Sequence, residues 1–588
     1  MNAELSMESV LHPHQLLAFG CANANILHRS HSANHSYHFY NEGRKQISII
    51  FNLNMASHRR QSQEIRYPQF VVWELQPDKK MSSLGGLVVI VSSFLCLFVL
   101  LALIKAFHKL WWTPRRIQNL MALQGIKGPS YRLIHGNTKE IFNMKMETMG
   151  SPRNLSDDVL SAVQPHIRSW TKIYGKNYLQ WHGSQAQLVI MEPELCKEIL
   201  SNKDGAYPKR EPEGYVKKLV GDSMGTTNQA DKWAKVRKLA NHAFHGESLK
   251  SMIPAMIASA ETILDGWKNH EGKEIEVYEQ FRLFTSEVIS RTAFSSSYLE
   301  GKSFFDNLMK LSFLLVKNSF KVRFPGISKI FKSSDDIESE KLEKAMRDSI
   351  IAIVKKREKA AKTGEENNFG NDYLGLLLKA HLDTNDLVDE CKTFYFAGQE
   401  TTNGLLAWII FLMALHTDWQ EEARKEVLKL FGKQNPTHDD IAKLKTMSMV
   451  INESLRLYPS VLSIDRKVTR EVKLGRLIVP ANVELLISCL ALHHEPQFWG
   501  EDVHRFKPDR FLEGVAKATN NNVAAFLPFG MGPRTCVGFN FAATEAKIVL
   551  SMILQRYHFT LSPGYVHSPV DYLTIRPQHG VQVMLHKL

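Results

Sequence analysis

The stretch Phe529-Gly530-Met531-Gly532-Pro533-Arg534-Thr535-Cys536-Val537-Gly538 decides the fold of this chain. Its glycines and proline predict a turn-rich loop. Apolar residues then recur at helical spacing from Phe541 to Ile553, so a helix is expected directly after Cys536. The free N–H groups and the dipole at a helix N-terminus favour negative charge, which predicts a lowered pKa for the Cys536 thiol.

The same loop has room for a flat ligand. Gly532 and Gly538 remove side chains on either side of the sulfur, and Arg534 is placed to meet an anionic group. The pattern therefore predicts a thiolate ligand for a large planar cofactor that carries carboxylates. The alternative is a buried, inert cysteine, which composition alone favours.

Composition describes a globular chain. Of 588 residues, 44% are hydrophobic and 23% charged, which excludes collagenous and broadly disordered classes. Six cysteines, at 21, 96, 196, 391, 489 and 536, form no CxxC pair. This argues against a disulfide framework or a zinc ribbon and indicates a reducing compartment. The net charge of +13 suits an acidic partner or anionic lipid, and no basic stripe or motif indicates nucleic acid.

Periodicity predicts a mainly helical chain with small β-sheets, an α+β fold. The clearest predicted helices are 155–173, 249–268, 276–299, 337–362, 385–416, 418–431 and 447–457. The predicted strands are Tyr178–Trp181, Gln187–Met191, Val483–Ser488 and the region 570–587. No GxGxxG or GxxxxGK loop is present, so the chain has no nucleotide-binding motif of its own.

The cysteine stretch resembles the haem-binding signature FxxGxRxCxG of the cytochrome P-450 family, the haem-thiolate monooxygenases. All five fixed positions are present: Phe529, Gly532, Arg534, Cys536 and Gly538. The resemblance implies a single large domain that binds haem b, with Cys536 as the axial ligand of the iron and the other four residues around the cofactor.

A second match is Ala397-Gly398-Gln399-Glu400-Thr401-Thr402, within the predicted helix 385–416. The Thr401 hydroxyl lies one helical turn after Ala397, so it can bond that residue's carbonyl and bend the helix beside Gly398. We expect a local groove for O2 there. The resemblance implies that Glu400 and Thr401 are catalytic and relay protons; the alternative for Thr401 is ordinary back-bonding.

Two further signatures have structural and cofactor-binding roles in the family. Glu453-Ser454-Leu455-Arg456 matches ExxR, and 506–511 resembles the PERF element, with Asp509 where glutamate is usual. The resemblance implies a buried structural triad of Glu453, Arg456 and Arg510.

Trp233 and Arg237 match WxxxR, and at this spacing they share a helix face. By resemblance these two residues and Arg466 contact a haem propionate. The likeness covers about 81–588 and is similar to the plant non-A-type, seventy-two clan around Gln124–Gly128 and Tyr131–Glu140.

The N-terminal region divides into three predicted segments before the monooxygenase domain at 131–588. Residues 1–80 read as a disordered tail or, as we favour, as an over-extended gene model with translation from Met81. Residues 81–108 form a transmembrane anchor, since Leu84–Ile104 holds no charge. Residues 109–130 form a linker in which the family's proline-rich hinge is reduced to Pro129.

Membrane topology follows from the charges beside the anchor. Four cations follow it and two precede it, which predicts a cytosolic main domain. The resemblance implies a single-pass protein of the endoplasmic reticulum membrane that receives electrons from NADPH through a separate NADPH–haemoprotein reductase.

The reaction implied is insertion of one atom of O2 into a lipophilic small molecule. Residues 205–230 and Val461–Ile464 are expected to line the pocket; terpenoid, steroid-like, fatty-acid and foreign substrates stay open. The alternatives are a non-oxygenase haem-thiolate isomerase or dehydratase and a non-catalytic haem-binding protein. A second metal site at His493, His494, Glu495 and His504 is disfavoured because the spacing is not HExxH.

Overall fold

The computed structural model describes residues 82–149, 154–155, 158–321, 332–363 and 369–588. The chain divides into two compact units, 1–89 and 90–588, and in the first only the start of one helix is described. The predictions for residues 1–80 lie outside the described residues.

The described residues are mainly helical, as predicted. The α-helices are Ser82–Phe107, Thr113–Ala122, Thr138–Met149, Val159–Val163, Pro165–Tyr174, Pro193–Ser201, Gly214–Val220, Ala230–Phe244, Gly246–Trp267, Val277–Phe294, Tyr298–Asn318, Ser334–Thr363, Tyr373–Lys379, Thr384–Leu415, Thr417–Phe431, His438–Ile441, Lys445–Leu457, Cys489–His493, Pro496–Trp499, Val515–Ala518 and Phe539–Leu554. Short 3₁₀ turns include Lys268–His270, Pro508–Phe511, Val523–Ala525 and Gly532–Arg534, and His108–Trp112 is a π-helical turn.

Four small sheets accompany the helices. The strands are β1 (Tyr178–His182), β2 (Gln185–Ile190), β3 (Glu274–Glu276), β4 (Ser463–Lys467), β5 (Val472–Leu474), β6 (Leu477–Val479), β7 (Glu484–Ser488), β8 (Tyr557–Leu561), β9 (Pro569–Tyr572), β10 (Thr574–Pro577) and β11 (Gln582–Lys587). The largest sheet has the order β1-β2-β7-β4, in which only the β2–β7 pair is parallel. The other sheets are β3-β11-β8, β9-β10 and β5-β6.

The helix Thr384–Leu415, called the central helix below, passes through the hydrophobic core. Every side chain from Leu405 to Ala414 is buried, which is typical of a helix enclosed on all faces. Its Trp408 indole donates to the Ile575 carbonyl of β10 at 3.0 Å. The preceding turns of the same helix, which carry Ala397 and Thr401, face a cavity instead.

The structure differs from the predicted helices in two places. The predicted helix 155–173 is two helices, because Pro165 has no N–H to continue the first and starts the second. The helix Tyr298–Asn318 was not among those singled out, although Phe304, Leu308 and Leu311 bury one face at helical spacing.

The segment 109–130, predicted to be a linker, contains regular structure that packs against the core. Residues 113–122 are helical, and Ile117 and Met121 on that helix are buried in the core. Gln124 then exchanges two hydrogen bonds with the backbone of Ile478 on β6. The segment packs because its apolar residues recur at i and i+4, a pattern that the charges beside the anchor obscured.

Among the described residues one helical segment, Gly86–Ala122, is long and apolar enough to cross a membrane. Its large apolar side chains from Leu87 to Phe107 are exposed. This is consistent with an anchor.

Candidate active site

Residues 529–538 form a closed loop, called the cysteine loop below, that leads into the helix Phe539–Leu554. The Cys536 N–H donates to the Phe529 carbonyl at 2.9 Å, and the Thr535 N–H donates to that of Gly532 at 3.0 Å. These bonds fix the sulfur directly before the helix, as the sequence predicts.

The predicted lowering of the Cys536 pKa is wrong for the free thiol. Burial raises the pKa of this thiol, and the Gly538 N–H, Arg237 and Lys209 only partly oppose that effect. The side chain is open to an internal cavity but is surrounded by protein, so it loses the solvation that stabilises a thiolate. Coordination to a metal ion would supply the missing charge and deprotonate the sulfur.

Gly532 and Gly538 of the loop serve different purposes. A Cβ on Gly532 would lie 2.2 Å from the Leu200 carbonyl oxygen, and its φ is +74°, so this glycine permits close packing on the helix Pro193–Ser201. A Cβ on Gly538 would meet nothing within 4 Å. The expected room for a flat body therefore exists at Gly538 and not at Gly532.

A cavity of about 1010 Å³ separates the cysteine loop from the central helix. Cys536 and Gly538 line it from the loop, and Ala397, Gly398 and Thr401 line it from the helix. A planar cofactor bound to the sulfur would therefore have a helix wall across the cavity.

Four cationic side chains, called the cation cluster below, line this cavity: Lys209, Arg237, Arg466 and Arg534. Arg237 donates to the Thr535 carbonyl at 2.6 Å and Arg466 to that of Asp465 at 2.8 Å. Arg534 donates to the carbonyls of Met224 and Thr227, at 3.4 and 3.0 Å. Across the described chain, none of the four forms an ion pair with a carboxylate.

Burial and the closeness of these positive charges lower the pKa values of Lys209 and Arg534. Burial, then repulsion from Arg466, Arg534 and Arg237, lowers the pKa of Lys209 to about 7. Burial and the charges of Arg466 and Arg237 lower the pKa of Arg534 to about 10. Partly desolvated cations without counter-charge fit a ligand that brings carboxylates, so the residues present fit the two propionates of haem b.

Trp233 and Arg237 lie on one face of the helix Ala230–Phe244, and both line the cavity. The Arg534 guanidinium sits over the Trp233 ring, 4.5 Å from its centre. The indole therefore orients Arg534 by a cation–π contact. Lys209 was missed by the sequence analysis, because no motif marks it and only the fold brings it among three arginines.

Thr401 bonds as its spacing predicts, but the expected groove is absent. Its hydroxyl donates to the Ala397 carbonyl at 2.7 Å, while the central helix stays α-helical throughout. A Cβ on Gly398 would lie 2.7 Å from Ile289 Cδ1. Gly398 therefore allows the helix Val277–Phe294 to pack closely, and Ile289 occupies the space expected for a groove.

Glu400 does not line the cavity, contrary to the role expected for it. Its Oε1 accepts hydrogen bonds from Arg576 Nε and Thr574 Oγ1, each at 2.5 Å, and the residue is buried. Glu400 thus fastens the central helix to β10, a contact that local sequence around Glu400 does not signal.

The triad of Glu453, Arg456 and Arg510 forms as the resemblance implies. Arg456 pairs with Glu453 through two bonds of 2.7 and 2.8 Å, and Arg510 Nε lies 3.4 Å from Glu453 Oε1. The Lys507 N–H donates to the same oxygen at 2.9 Å. The pair is fully buried, so it orders the segments that meet on it.

The haem-binding scaffold extends from this triad to the cysteine loop. Arg456 donates to the His493 carbonyl at 3.0 Å, and the ring nitrogen Nε2 of His493 accepts the Leu527 N–H at 2.9 Å. Leu527 lies two residues before the loop begins. One chain of hydrogen bonds thus connects the buried carboxylate to the approach of the cysteine loop.

Comparison with known proteins agrees with this geometry. The cytochrome P450 family model matches residues 161–584. Cytochrome P450 CYP749A22 of Panax ginseng is 57% identical over 84% of this chain and 96% of its own length. Cytochrome P450 72A397 of Kalopanax septemlobus is 40% identical over 82% and 95%. An 11-oxo-beta-amyrin 30-oxidase of Glycyrrhiza uralensis is 38% identical over 82% and 94%.

These matches confirm the likeness to the seventy-two clan and the choice of a monooxygenase over the other classes considered. The matched residues include the cavity wall, the triad and the cysteine loop. The chain therefore belongs to the cytochrome P450 family and is a haem-thiolate monooxygenase.

Proposed function

We propose that the chain hydroxylates a large, partly oxygenated lipophile of the triterpenoid type. The balanced reaction is RH + O2 + NADPH + H⁺ → ROH + H2O + NADP⁺, with the electrons delivered by a separate reductase. The observation that carries the proposal is the large cavity with Cys536 on one wall and Thr401 on the opposite one.

Cys536 holds the haem iron through its sulfur in this proposal, and the cation cluster holds the propionates. Haem ligated by a thiolate supplies the activation of O2 and the transfer of one oxygen atom. Phe529, Gly532 and Arg534 shape the loop that carries the sulfur, and Gly538 would leave room there for the cofactor. Arg237 and Arg466 now donate to backbone carbonyls. With haem bound, their strongest hydrogen bonds would be charge-assisted bonds to the propionates.

Thr401 holds a proton at Oγ1 on the cavity wall. Since its hydroxyl hydrogen points to the Ala397 carbonyl, its lone pairs are free to accept a hydrogen bond from the cavity. A shift of that hydrogen allows the same oxygen to donate. We assign the relay to Thr401 and leave Glu400 as a structural residue, since its carboxylate is bound to Arg576.

The substrate class follows from the lining of the cavity. Apolar contacts come from Ile289, Leu315, Phe320, Phe394, Leu405 and Leu486. Polar groups gather elsewhere on the wall, among them Gln164, Gln180, Gln187 and the Lys145–Asp571 ion pair. Ser460, Val461 and Ile464 also line it, as does the stretch from Lys209 to Val216. A rigid hydrocarbon body with a few oxygens matches both kinds of surface, and one relative is named as an oxidase of 11-oxo-beta-amyrin.

The anchor and its flanking charges support the proposed location. The helix Ser82–Phe107 is long enough for a bilayer, and Lys105, Lys109, Arg115 and Arg116 follow it. We infer a single-pass protein of the endoplasmic reticulum with the enzyme domain in the cytosol. A basic chain suits docking to an acidic reductase.

Microsomes that contain this chain and a reductase test the proposal. Pentacyclic triterpenoids that differ in oxygenation, steroids and fatty acids are offered in turn, and substrate-induced spectral shifts and NADPH-dependent products are measured. We expect the tightest binding and hydroxylated products among the triterpenoids. Products from fatty acids alone would contradict the proposed substrate class.

A variant pair tests the cofactor site separately. Arg237→Met should lower the haem content of the purified protein, because it removes one of the cations that await the propionates. Lys238→Met is the matched control, since Lys238 loses the same charge on the same helix but is exposed. Equal haem content in the two variants would contradict the role given to Arg237.

A further inference from the structure

Three metal-binding side chains from separate parts of the chain meet outside the cavity. Asp158 precedes the helix Val159–Val163, His494 follows the helix Cys489–His493, and His504 lies in the turn before Pro508–Phe511. Asp158 Oδ1 is 3.8 Å from His494 Nδ1 and 3.9 Å from His504 Nδ1. The three ligand atoms all lie within 4.8 Å of one another.

The His494 ring is held as metal-bound histidines usually are. Its Nε2 lies 3.0 Å from the Leu457 carbonyl oxygen, which can only accept, so Nε2 carries the hydrogen. Nδ1 therefore presents a lone pair when the ring is neutral. The residue is 2% exposed, and Nδ1 has no hydrogen-bond partner among the described residues. A backbone carbonyl behind the ring is the typical outer partner of a ligating histidine.

Asp158 caps the N-terminus of the helix Val159–Val163, and both of its carboxylate oxygens accept hydrogen bonds: Oδ1 from the Leu160 N–H at 3.0 Å and Oδ2 from the Ser161 hydroxyl at 2.9 Å. Arg168 Nε lies 2.9 Å from Oδ2, whereas Oδ1 faces the two histidines and keeps one lone pair beyond the one that accepts the Leu160 N–H.

We propose that Asp158, His494 and His504 bind one zinc ion, which clips the segment at Asp158 to the scaffold of the buried triad. Two nitrogens and one carboxylate oxygen are donors that zinc accepts, with bonds of about 2.0–2.2 Å. Ligands of a tetrahedral ion then lie roughly 3.4 Å apart, so the pairs at 3.8 and 3.9 Å need only small movements. His504 is half-exposed on a turn and is free to make them.

A neighbouring cavity of about 50 Å³ provides for the fourth ligand. Both His494 and His504 line it, beside Leu457 and Phe506. This space is large enough for a water molecule, which occupies roughly 30 Å³ in the liquid. Three protein ligands and one water complete a tetrahedral shell.

The position of the site explains what the ion would do. Arg456 donates to the carbonyls of Val503 and Arg505, on either side of His504, and to that of His493, next to His494. His494 and His504 thus lie in segments that Arg456 already holds in place. A bound ion would connect Asp158 to these segments. The role is structural and independent of the haem reaction. Arg168 stays on Oδ2 as the outer partner of the carboxylate, and its charge weakens the affinity for a cation.

Zinc analysis of the full-length, haem-bound protein without a histidine tag tests the proposal. Protein equilibrated with zinc and washed in metal-free buffer is assayed for zinc and for haem. We expect close to one retained zinc per haem, as a single tetrahedral shell requires, and the loss of that zinc in both His504→Gln and Asp158→Asn. His438→Gln is the matched control, because His438 Nδ1 lies 2.9 Å from Asp439 on the surface without a second histidine.

Thermal denaturation gives a second reading that does not depend on activity. Zinc should raise the midpoint of the parent and of His438→Gln, and should leave His504→Gln and Asp158→Asn unchanged. Haem content shows whether each variant is folded. Zinc retention that is the same in all four proteins, or a midpoint that zinc does not move in the parent, would overturn the proposal.

Discussion

Thr401 shows what a single hydroxyl contributes to the proposed relay. Thr401→Val keeps the shape of the side chain and removes the atom that holds the proton. We expect product formed per NADPH to fall about tenfold or more, in line with the usual contribution of a positioned proton donor. Hydrogen peroxide should account for the missing electrons.

Thr401→Ser is the control, since it retains the hydroxyl on the same turn. Product, NADPH and peroxide are measured together, in microsomes with reductase present. If the valine variant couples as well as the serine variant, Thr401 has no part in the relay.

Some residues around the cavity could be predicted from the sequence as site residues, and others could not. Cys536, Arg534 and Gly538 carry a signature whose spacing is local, so the sequence places them correctly. Lys209 has no such signature, because its surroundings come from distant segments. The sign of the Cys536 pKa was wrong because a helix N-terminus is visible in sequence and the burial that outweighs it is not.

The buried triad belongs to the scale of packed elements. Glu453 lies on the helix Lys445–Leu457, and its carboxylate is shared by Arg456, Arg510 and the Lys507 N–H. Glu453→Gln removes the charge and leaves the buried Arg456 guanidinium without its counter-ion, whereas Arg510 keeps its ion pair with Asp502. Such a loss typically costs about 3–5 kcal/mol, so we expect little haem-loaded protein from this variant.

An exposed pair of the same spacing provides the control. Glu422 and Lys425 lie 2.8 Å apart at i and i+3, and both side chains are more than half exposed. Glu422→Gln should give a normal yield, because solvent screens such a pair. The amplitude of the reduced, carbon-monoxide-bound spectrum per milligram of protein compares the two variants. Equal amplitudes would contradict the structural role of the triad.

Long elements with one strong period are the part of the fold that sequence predicts best. The central helix was placed to within a residue at each end, since its apolar residues recur at helical spacing and its last eleven residues are all apolar. The packing of the segment 109–130 was not predicted, because its buried residues, among them Ile117, Met121 and Ile126, are few and lie among charges. A metal site at His493, His494, Glu495 and His504 was disfavoured from its spacing, and Asp158 did not enter that prediction because it lies some 340 positions away in sequence from the histidines beside it.

For the whole molecule, the buried carboxyl of Glu390 predicts a pH dependence of stability. Burial raises its pKa from 4.5 to about 7, while the Met224 N–H and the Tyr373 hydroxyl oppose the rise. Between these two pH values the folded protein binds the proton more tightly than the unfolded chain, so stability falls as pH rises. The loss should reach roughly 3 kcal/mol above pH 7.

Glu390→Gln should remove this loss, because an amide is neutral throughout and its oxygen still accepts the Met224 N–H. Unfolding midpoints at pH 6 and pH 8 are compared for the parent, this variant and Glu501→Gln, whose side chain is exposed. We expect the parent and Glu501→Gln to lose stability together and Glu390→Gln to lose less. An identical loss in all three would assign the effect to other groups.

The segment 221–227 of the cavity wall connects haem binding to the local stability of the backbone. The segment 221–227 is held on one side by Glu390, which accepts the Met224 N–H at 2.6 Å, and on the other by Arg534, which donates to Met224 and Thr227. Arg534 also faces the space for the propionates. Amide hydrogen exchange in this segment should therefore slow when haem enters, because a bound cofactor would restrict Arg534 and the segment that it holds.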